Sequence, residues 1–428
     1  MRHQHPVGAC HTYRIGYEGL KGEIPVIKTY QYRIYPTTKQ RLTLETWLDG
    51  CQTLYNQALA MRIKASKEMG KSISYNSQAR MLTELRSQST FWNGLHIDIL
   101  QDVLRRLDKA YDAFYRRLKK GEKPGFPRFK GKERYRSITF NHLSKDLIRN
   151  VRRKFARAVV PKLGHIKMRY HRSLPDGKIK TLTIQRKSSG WYANIAVKVP
   201  DVPKVEIQSA VGVDVGLESF LTTSECDKVE NPRHLRTAEK ALKKKQQHLS
   251  RRKKGSHRRR KQAVILAKQH EHVANQRRDF HYKTAHQLFS KYDAVVVESL
   301  TIDNMKRNHH LAKSISDAGW GNFWLTLESK AENAGKHLLK VSPHGTSQKC
   351  SGCGTIVKKS LAIRIHQCDC GLTLDRDHNA AINILRAATA LRGGAEVTNS
   401  AERPVRERSE KPVIPSTMGH KPHPFRVG

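Results

Sequence analysis

The sequence predicts a multidomain α/β protein, and three observations predict it. The chain has 428 residues, enough for two to four domains of ordinary size. Strand-like alternation, helical apolar spacing and one continuous apolar strand occupy separate stretches, so strand-rich and helix-rich parts follow one another. Four of the seven cysteines, Cys350, Cys353, Cys368 and Cys370, crowd into one short window that reads as a small metal-held module.

Residues 1–26 carry no clear periodicity and read as an extension. In "IKTYQYRIYPTTKQ", Tyr30, Tyr32 and Ile34 alternate with Gln31, Arg33 and Tyr35 as in a strand, which Pro36-Thr37-Thr38 ends while opening a helix. From there to about Lys119 the pattern is helical. Leu42, Leu44, Trp47, Leu48, Cys51, Leu54 and Tyr55 mark one apolar face, and "SQARMLTELRSQ" and "LHIDILQDVLRRLDKAYDAFYRRLKKG" read as further helices. "EKPGFPRFKGK" is a loop punctuated by Pro124, Gly125 and Pro127. Between 136 and 200 come short strands, "RSITF", "IKMRY", "KIKTLTIQR" and "GWYANIAVKVP", with "RKSSG" as a hairpin turn; a small barrel or curved sheet is expected.

The composition changes at "SAVGVDVGLESFLTTSE", a β-hairpin with Asp214 inside its first strand. Arg233 to Gln287 is long, polar and helical, and Gly255-Ser256 divides it into two antiparallel arms. "YDAVVVESL" is continuously apolar and reads as a strand buried on both faces. "DAGWGNFWLTLESKAENAG" is a helix, "KHLLKVSP" a strand, and after the cysteine window a last helix starts at about His378. Beyond Gly393-Gly394 the chain is polar, holds Pro404, Pro412 and Pro415, and reads as a disordered tail.

Charge narrows the partners. Lys and Arg number 81 against 37 Asp and Glu, a formal net charge of +44. Such a field calls for a polyanion. Nucleic acid is the first candidate and an anionic membrane surface the weaker second: no apolar run approaches the roughly 18 residues of a spanning helix, and the start lacks the apolar core of a secretory signal. A soluble, cytoplasmic protein is expected. An odd cysteine count without an export signal argues against a disulfide framework, so Cys10, Cys51 and Cys226 read as reduced, non-functional thiols.

Asp214 and Glu298 each sit at the end of a predicted apolar strand. Such a carboxylate is costly unless it meets a metal or a cation. Asp377, four residues before Ala381, continues the inward stripe Ala381, Ile384, Leu385 and Ala388 of the last helix, whereas Asp375 stands outside that stripe. Taken singly, Asp377 could be no more than a helix cap and Glu298 a salt-bridge partner. Together the three acids favour a Mg²⁺ site, with two ions about 3.5–4 Å apart able to hydrolyse a phosphodiester. Cys350-x-x-Cys353 and Cys368-x-Cys370 read as two halves of a structural zinc site. The second half is one residue short of the usual spacing, which leaves His366 open as a substitute ligand. The run Lys243–Lys261 has almost no acid and reads as a phosphate-neutralising surface. Tyr55, Phe91, Trp92, Tyr111 and Tyr115 read mainly as core, with one or two left to touch a base.

The motifs "VGVDVGLESFLTTS", "NQRRDFHYKTAHQL", "VVVESLTIDNM", "DAGWGNFWLTLESKAENAGK", "PHGTSQKCSGCG" and "LDRDHNAAINIL", with "YQYRIYPTTKQ", "LYNQAL" and "GFPRFKGK" in order before them, resemble the TnpB family. TnpB is the OrfB-type accessory protein of insertion sequences and a proposed ancestor of type V CRISPR effectors. The resemblance spans roughly 27–392. It implies a RuvC-like nuclease of RNase H fold interrupted by a zinc ribbon, behind a β-barrel wedge with a helical recognition insert. In those terms 27–36 and about 125–205 form the wedge and about 37–124 the insert. Residues 206–342 form the first nuclease part, including the basic hairpin 233–287, then 343–374 the ribbon, 375–392 the final helix and 393–428 the tail. The resemblance implies an RNA-guided DNA endonuclease whose guide RNA derives from the transposon end and whose double-stranded DNA target carries a short adjacent motif. Its catalytic acids fall on Asp214, Glu298 and Asp377, with Mg²⁺ as cofactor. Its zinc ligands fall on Cys350, Cys353, Cys368 and Cys370. Tyr55, Asn56, Arg277, Arg278 and Lys283 are the candidate nucleic-acid contacts. A strand-joining transposase and a nuclease-dead binding protein are the rivals, and monomer or dimer is left open. The ribbon is further expected to fix where the last helix begins.

Overall fold

The structure is a computed structural model, and it describes residues 12–13, 26–131, 134–143, 146–360 and 363–392. The tail 393–428, and the extension apart from Thr12–Tyr13, lie outside the described residues.

The amino-terminal part is one antiparallel sheet and a helical insert around a common core. Strand β1 (Thr12–Tyr13) pairs with β2 (Val26–Tyr35). The full order is β3 (Ser137–Phe140), β7 (Lys178–Lys187), β8 (Gly190–Val199), β2, β6 (Gly164–Arg169), β5 (Phe155–Val160), β4 (Ile148–Arg152). Among the described residues no ladder joins the β3 and β4 ends. In β2, Tyr32 and Ile34 are buried, as the alternation requires. The β4–β5 hairpin escapes the sequence reading because its inward residues Ala156, Ala158 and Val160 are small and stand among arginines.

Between β2 and β3 come α1 (Thr38–Met69), α2 (Tyr75–Gln88), α3 (Thr90–Gly94) and α4 (Ile97–Lys119). A capping box of Thr37 and Gln40 opens α1. Leu44, Trp47 and Leu48 of α1 share a core with Leu100 and Leu104 of α4 and with Phe140, Ile184 and Ile195 of the sheet. Leu42 does not join that face; it is 66% exposed. Two residues before Leu44 is about 200° around the helix, which turns it outward. Asp98 ties α4 to the end of β3: its buried carboxylate accepts from the backbone N–H of Asn141 and His142 at 2.8 and 2.7 Å.

The second sheet runs β11 (Lys228–Glu230), β10 (Ser219–Thr223), β9 (Ala210–Asp214), β12 (Ala294–Glu298), β13 (His337–Val341). The first three are antiparallel, and β9, β12 and β13 are parallel. Helices α5 (His234–Ser250) and α6 (His257–Lys291) form the two-armed hairpin between β11 and β12. A narrow seam of Leu242, Leu266 and Val273 zips the arms together and leaves their basic residues outside. Helices α7 (Ile302–Met305), α8 (His309–Ala318) and α9 (Trp320–Ala334) lead from β12 to β13. The stretch beginning at Asp317 is thus two helices rather than one, because Gly319 adopts the left-handed conformation (φ +69°) and ends α8. One face of the sheet, through Val211, Val213, Val295 and Val297, packs on Phe289, Phe323 and Leu327. The other, through Val296 and Val341, packs on Ile384 and Ala388 of α10 (Arg376–Arg392).

Candidate active site and metal centre

Strand register brings two of the predicted acids together. Val213 pairs with Val297 in the parallel β9–β12 ladder, so Asp214 and Glu298 are the next residues of adjacent strands, both at carboxyl ends. Side chains alternate along a strand, so Gly212, Asp214, Val296 and Glu298 share the face covered by α10. Helix α10 can lie close there because Gly212 has no side chain: a Cβ at that position would stand 2.1 Å from the Ala381 carbonyl oxygen. Asp377, in the first turn of α10, overhangs the same strand end; a Cβ on Gly216 would lie 3.5 Å from its Oδ2. The helix begins at Arg376, two residues earlier than expected. Asp375, the last residue of the short strand Thr373–Asp375, caps it by accepting from the N–H groups of Asp377 and His378 at 2.9 and 3.2 Å, and pairs with Lys228 at 2.8 Å.

Electrostatics link Asp214 to both other acids. Burial pushes the Asp214 carboxyl well above the usual carboxylate range, and the negative charges of Glu298 and Asp377 add to the effect. Burial also raises Glu298, offset in part by a hydrogen bond from the Thr346 hydroxyl to its Oε1. Asp377 is 15% exposed and accepts from Nε and an η nitrogen of Arg376 at 3.0 and 2.9 Å, with Arg364 3.9 Å away. Carboxylate oxygens such as these suit a hard divalent cation.

The cysteines converge independently. Their four Sγ atoms lie within 4.8 Å of one another, the one such group of candidate ligands among the described residues. Cys350–Cys370 and Cys353–Cys368 are separated by 3.7 and 3.6 Å. Sulfurs about 2.3 Å from a tetrahedral Zn²⁺ would be about 3.8 Å apart, so the set fits that ion. The Gly352 N–H donates to Cys350 Sγ at 3.3 Å. The short Cys368-x-Cys370 half therefore needs no help from His366. That ring is fully buried, accepts from Lys359 at Nδ1 and lies outside the sulfur group. Strands β14 (Ile365–Gln367) and β15 (Thr373–Asp375) pair as a short hairpin behind the second half.

The candidate nucleic-acid contacts meet varied surroundings. Tyr55 is 3% exposed and belongs to the core, with Lys130 over its ring. Asn56 exchanges two hydrogen bonds with the Lys130 backbone, at 3.0 and 2.8 Å, and so holds the 121–131 loop. Arg277 pairs at 3.1 Å with Asp317, which also accepts from the Leu235 and Arg236 N–H groups at the start of α5. These three side chains are committed inside the protein. Arg278 bonds Asn275 at 2.9 Å, and Lys283 is exposed beside Asp279 at 2.8 Å. Sequence reasoning passed over Gly212, Thr346, Asn379 and Asn383. The alternation of glycine with valine and aspartate in "VGVDVG" was the available signal for the first; the other three become visible only when α10 meets the cysteine knuckle.

Comparison with known proteins agrees with this layout. A family model described as "Probable transposase" matches 194–309, "Cas12f1-like, TNB domain" matches 320–384, and "Helix-turn-helix domain" matches 26–71, here strand β2 and helix α1. A Streptomyces pristinaespiralis protein named "Putative RNA-guided DNA endonuclease" is 33% identical over 90% of this chain and 94% of its own. The Escherichia coli K12 protein "Putative RNA-guided DNA endonuclease InsQ" is 27% identical over 89% and 97%. Among solved structures, "Cryo-EM structure of the Cas12f1-sgRNA-target DNA complex" is similar in fold, with TM-score 0.52 and 16% identity over 81% of this chain and 83% of that one. The molecule is thus a multidomain α/β protein with a four-cysteine knuckle seated beside an acid-lined sheet end. It belongs to the TnpB family. Among the described residues no helix is long and apolar enough to cross a membrane.

Proposed function

We propose that this protein is an RNA-guided DNA endonuclease of a transposable element, cutting DNA that pairs with a transposon-derived guide RNA beside a short motif. The observation that carries the reading is the meeting of Asp214 and Glu298 at parallel strand ends under the helix that bears Asp377. The strand order, antiparallel through β11–β10–β9 and parallel through β9–β12–β13, supports an RNase H-like, RuvC-type nuclease domain. The eight-stranded sheet with its helical insert supports the wedge and recognition roles, within the boundaries given above. The likeness to relatives named as RNA-guided DNA endonucleases supports guide RNA and target DNA as partners.

Asp214, Glu298 and Asp377 would hold Mg²⁺, and Cys350, Cys353, Cys368 and Cys370 would hold Zn²⁺. Bound Mg²⁺ supplies Lewis-acid stabilisation of the phosphodiester and a water more easily deprotonated. The chain's own part is to fix the acid oxygens in place. Specificity would come from base pairing, with the basic surface, Arg278 and Lys283 included, gripping the heteroduplex through its backbone.

Asp214→Ala should abolish Mg²⁺-dependent cleavage of a guide-matched duplex, a loss of at least about 10³-fold, while RNA binding stays. Cleavage at the parental rate would remove Asp214 from the site. Joined DNA products formed without guide RNA would revive the transposase reading.

A further inference from the structure

Two asparagines one helical turn apart, Asn379 and Asn383, fasten α10 to the first cysteine knuckle. Asn379, fully buried, brackets Cys350: its Oδ1 accepts from the Ser351 N–H at 2.9 Å and its Nδ2 donates to the Lys349 carbonyl at 2.9 Å. Asn383 Nδ2 donates to the same carbonyl at 2.6 Å and to the Thr346 carbonyl at 2.9 Å. The Thr346 hydroxyl in turn donates to Glu298. One backbone segment, 346–351, therefore touches the sulfur site, the helix bearing Asp377 and the carboxylate of Glu298.

We propose that Asn379, Asn383 and Thr346 are positioning residues that transmit the shape of the cysteine knuckle to the acidic site, setting where Asp377 stands and how the Glu298 carboxylate is turned. The inference rests on the reading of Asp214, Glu298 and Asp377 as the Mg²⁺-binding acids. Buried asparagines could serve folding alone, by satisfying loop carbonyls. The Thr346 hydroxyl distinguishes the two roles. It belongs to a half-buried residue, and it holds one oxygen of the buried Glu298 carboxylate, on the very residue whose carbonyl Asn383 fixes. Outer hydrogen bonds of this kind orient ligating carboxylates and typically change metal affinity by about 10- to 100-fold.

The test uses the full-length, zinc-loaded protein with the RNA it carries, and Mn²⁺ as the probe for the acidic site. Mn²⁺ binding is read by electron paramagnetic resonance beside the Mg²⁺ dependence of cleavage and the zinc content. Thr346→Val, nearly isosteric, should keep one zinc and weaken Mn²⁺ binding by about tenfold or more, with Thr346→Ser restoring it. Asn383→Ala should act in the same direction with zinc retained; if that variant loses zinc or fails to fold, Thr346→Val decides alone. Parental Mn²⁺ affinity and Mg²⁺ dependence in Thr346→Val overturn the proposal. Asp214→Ala serves as the control: if it binds Mn²⁺ and cuts like the parent, the acid-site reading itself has failed. If Asp214→Ala is inactive and Thr346→Val is normal, only the positioning role has failed.

Discussion

Single residues around the second sheet carry polar commitments that set how stability responds to pH. His281 is 2% exposed, lies against Phe220 and Phe323, and donates from Nε2 to the Ala318 carbonyl at 2.9 Å. Burial lowers its pKa from 6.5 to about 4, and Arg277 and His234 push the same way. A depressed pKa means the unfolded chain binds the proton more readily. The stability is therefore present above pH 6.5 and is lost as pH falls from there towards about 4, by about 3 kcal/mol across the window. Melting temperature measured from pH 7 to 4 should fall more steeply for the parent than for His281→Gln; equal slopes would refute the assignment. Arg277 and Asn56 behave in a related way. Both belong to polar motifs that read from the chain as nucleic-acid contacts, yet each has a partner inside the protein, Asp317 and Lys130. A polar side chain in a linear sequence gives no sign of whether an internal partner will claim it.

At the scale of elements, the fit of α10 on β9 sets where Asp377 stands over the sheet end. Gly212→Ala would place a methyl group against the Ala381 carbonyl and within 2.9 Å of Leu385 Cβ, both parts of the helix that bears Asp377. Overpacking of this kind costs about 1–3 kcal/mol. We expect a lower melting temperature and cleavage reduced about tenfold or more, while RNA binding persists. A variant with normal melting and normal cleavage would mean that the helix does not lie so close. Most elements were legible from periodicity: β2, the hairpins β7–β8 and β9–β10, the buried strand β12 and both arms of the basic hairpin. The misses have physical causes. β4 and β5 hide small inward residues among arginines, Leu42 sits next to a face it does not share, and Gly319 breaks what reads as one helix.

Across the whole molecule, the charge of +44 governs association. The seam of Leu242, Leu266 and Val273 leaves the basic flanks of α5 and α6 outward, and Arg259 closes α5 by donating to the Leu249 and Arg252 carbonyls at 2.8 and 3.0 Å. Affinity for unmatched duplex DNA should fall by about 10³-fold or more between 50 and 200 mM salt. Replacing Lys243, Lys244, Arg258 and Arg260 with Gln should flatten the log–log salt slope by roughly one unit for each phosphate that is no longer neutralised. Fluorescence anisotropy across a salt series measures both, and an unchanged slope would exclude the hairpin from the DNA-facing surface.

By itself the sequence pointed to a polyanionic partner, grouped the four thiols as a zinc-type set and singled out three acids for a proposed common site, because charge, ligand chemistry and strand or helix period are local properties of a chain. Tertiary structure decided how these parts meet. Register set Asp214 beside Glu298, the missing side chain of Gly212 let α10 approach, and the Asn379–Asn383 pair joined the knuckle to that helix. Each of those contacts links residues far apart in the chain, where no local pattern records them.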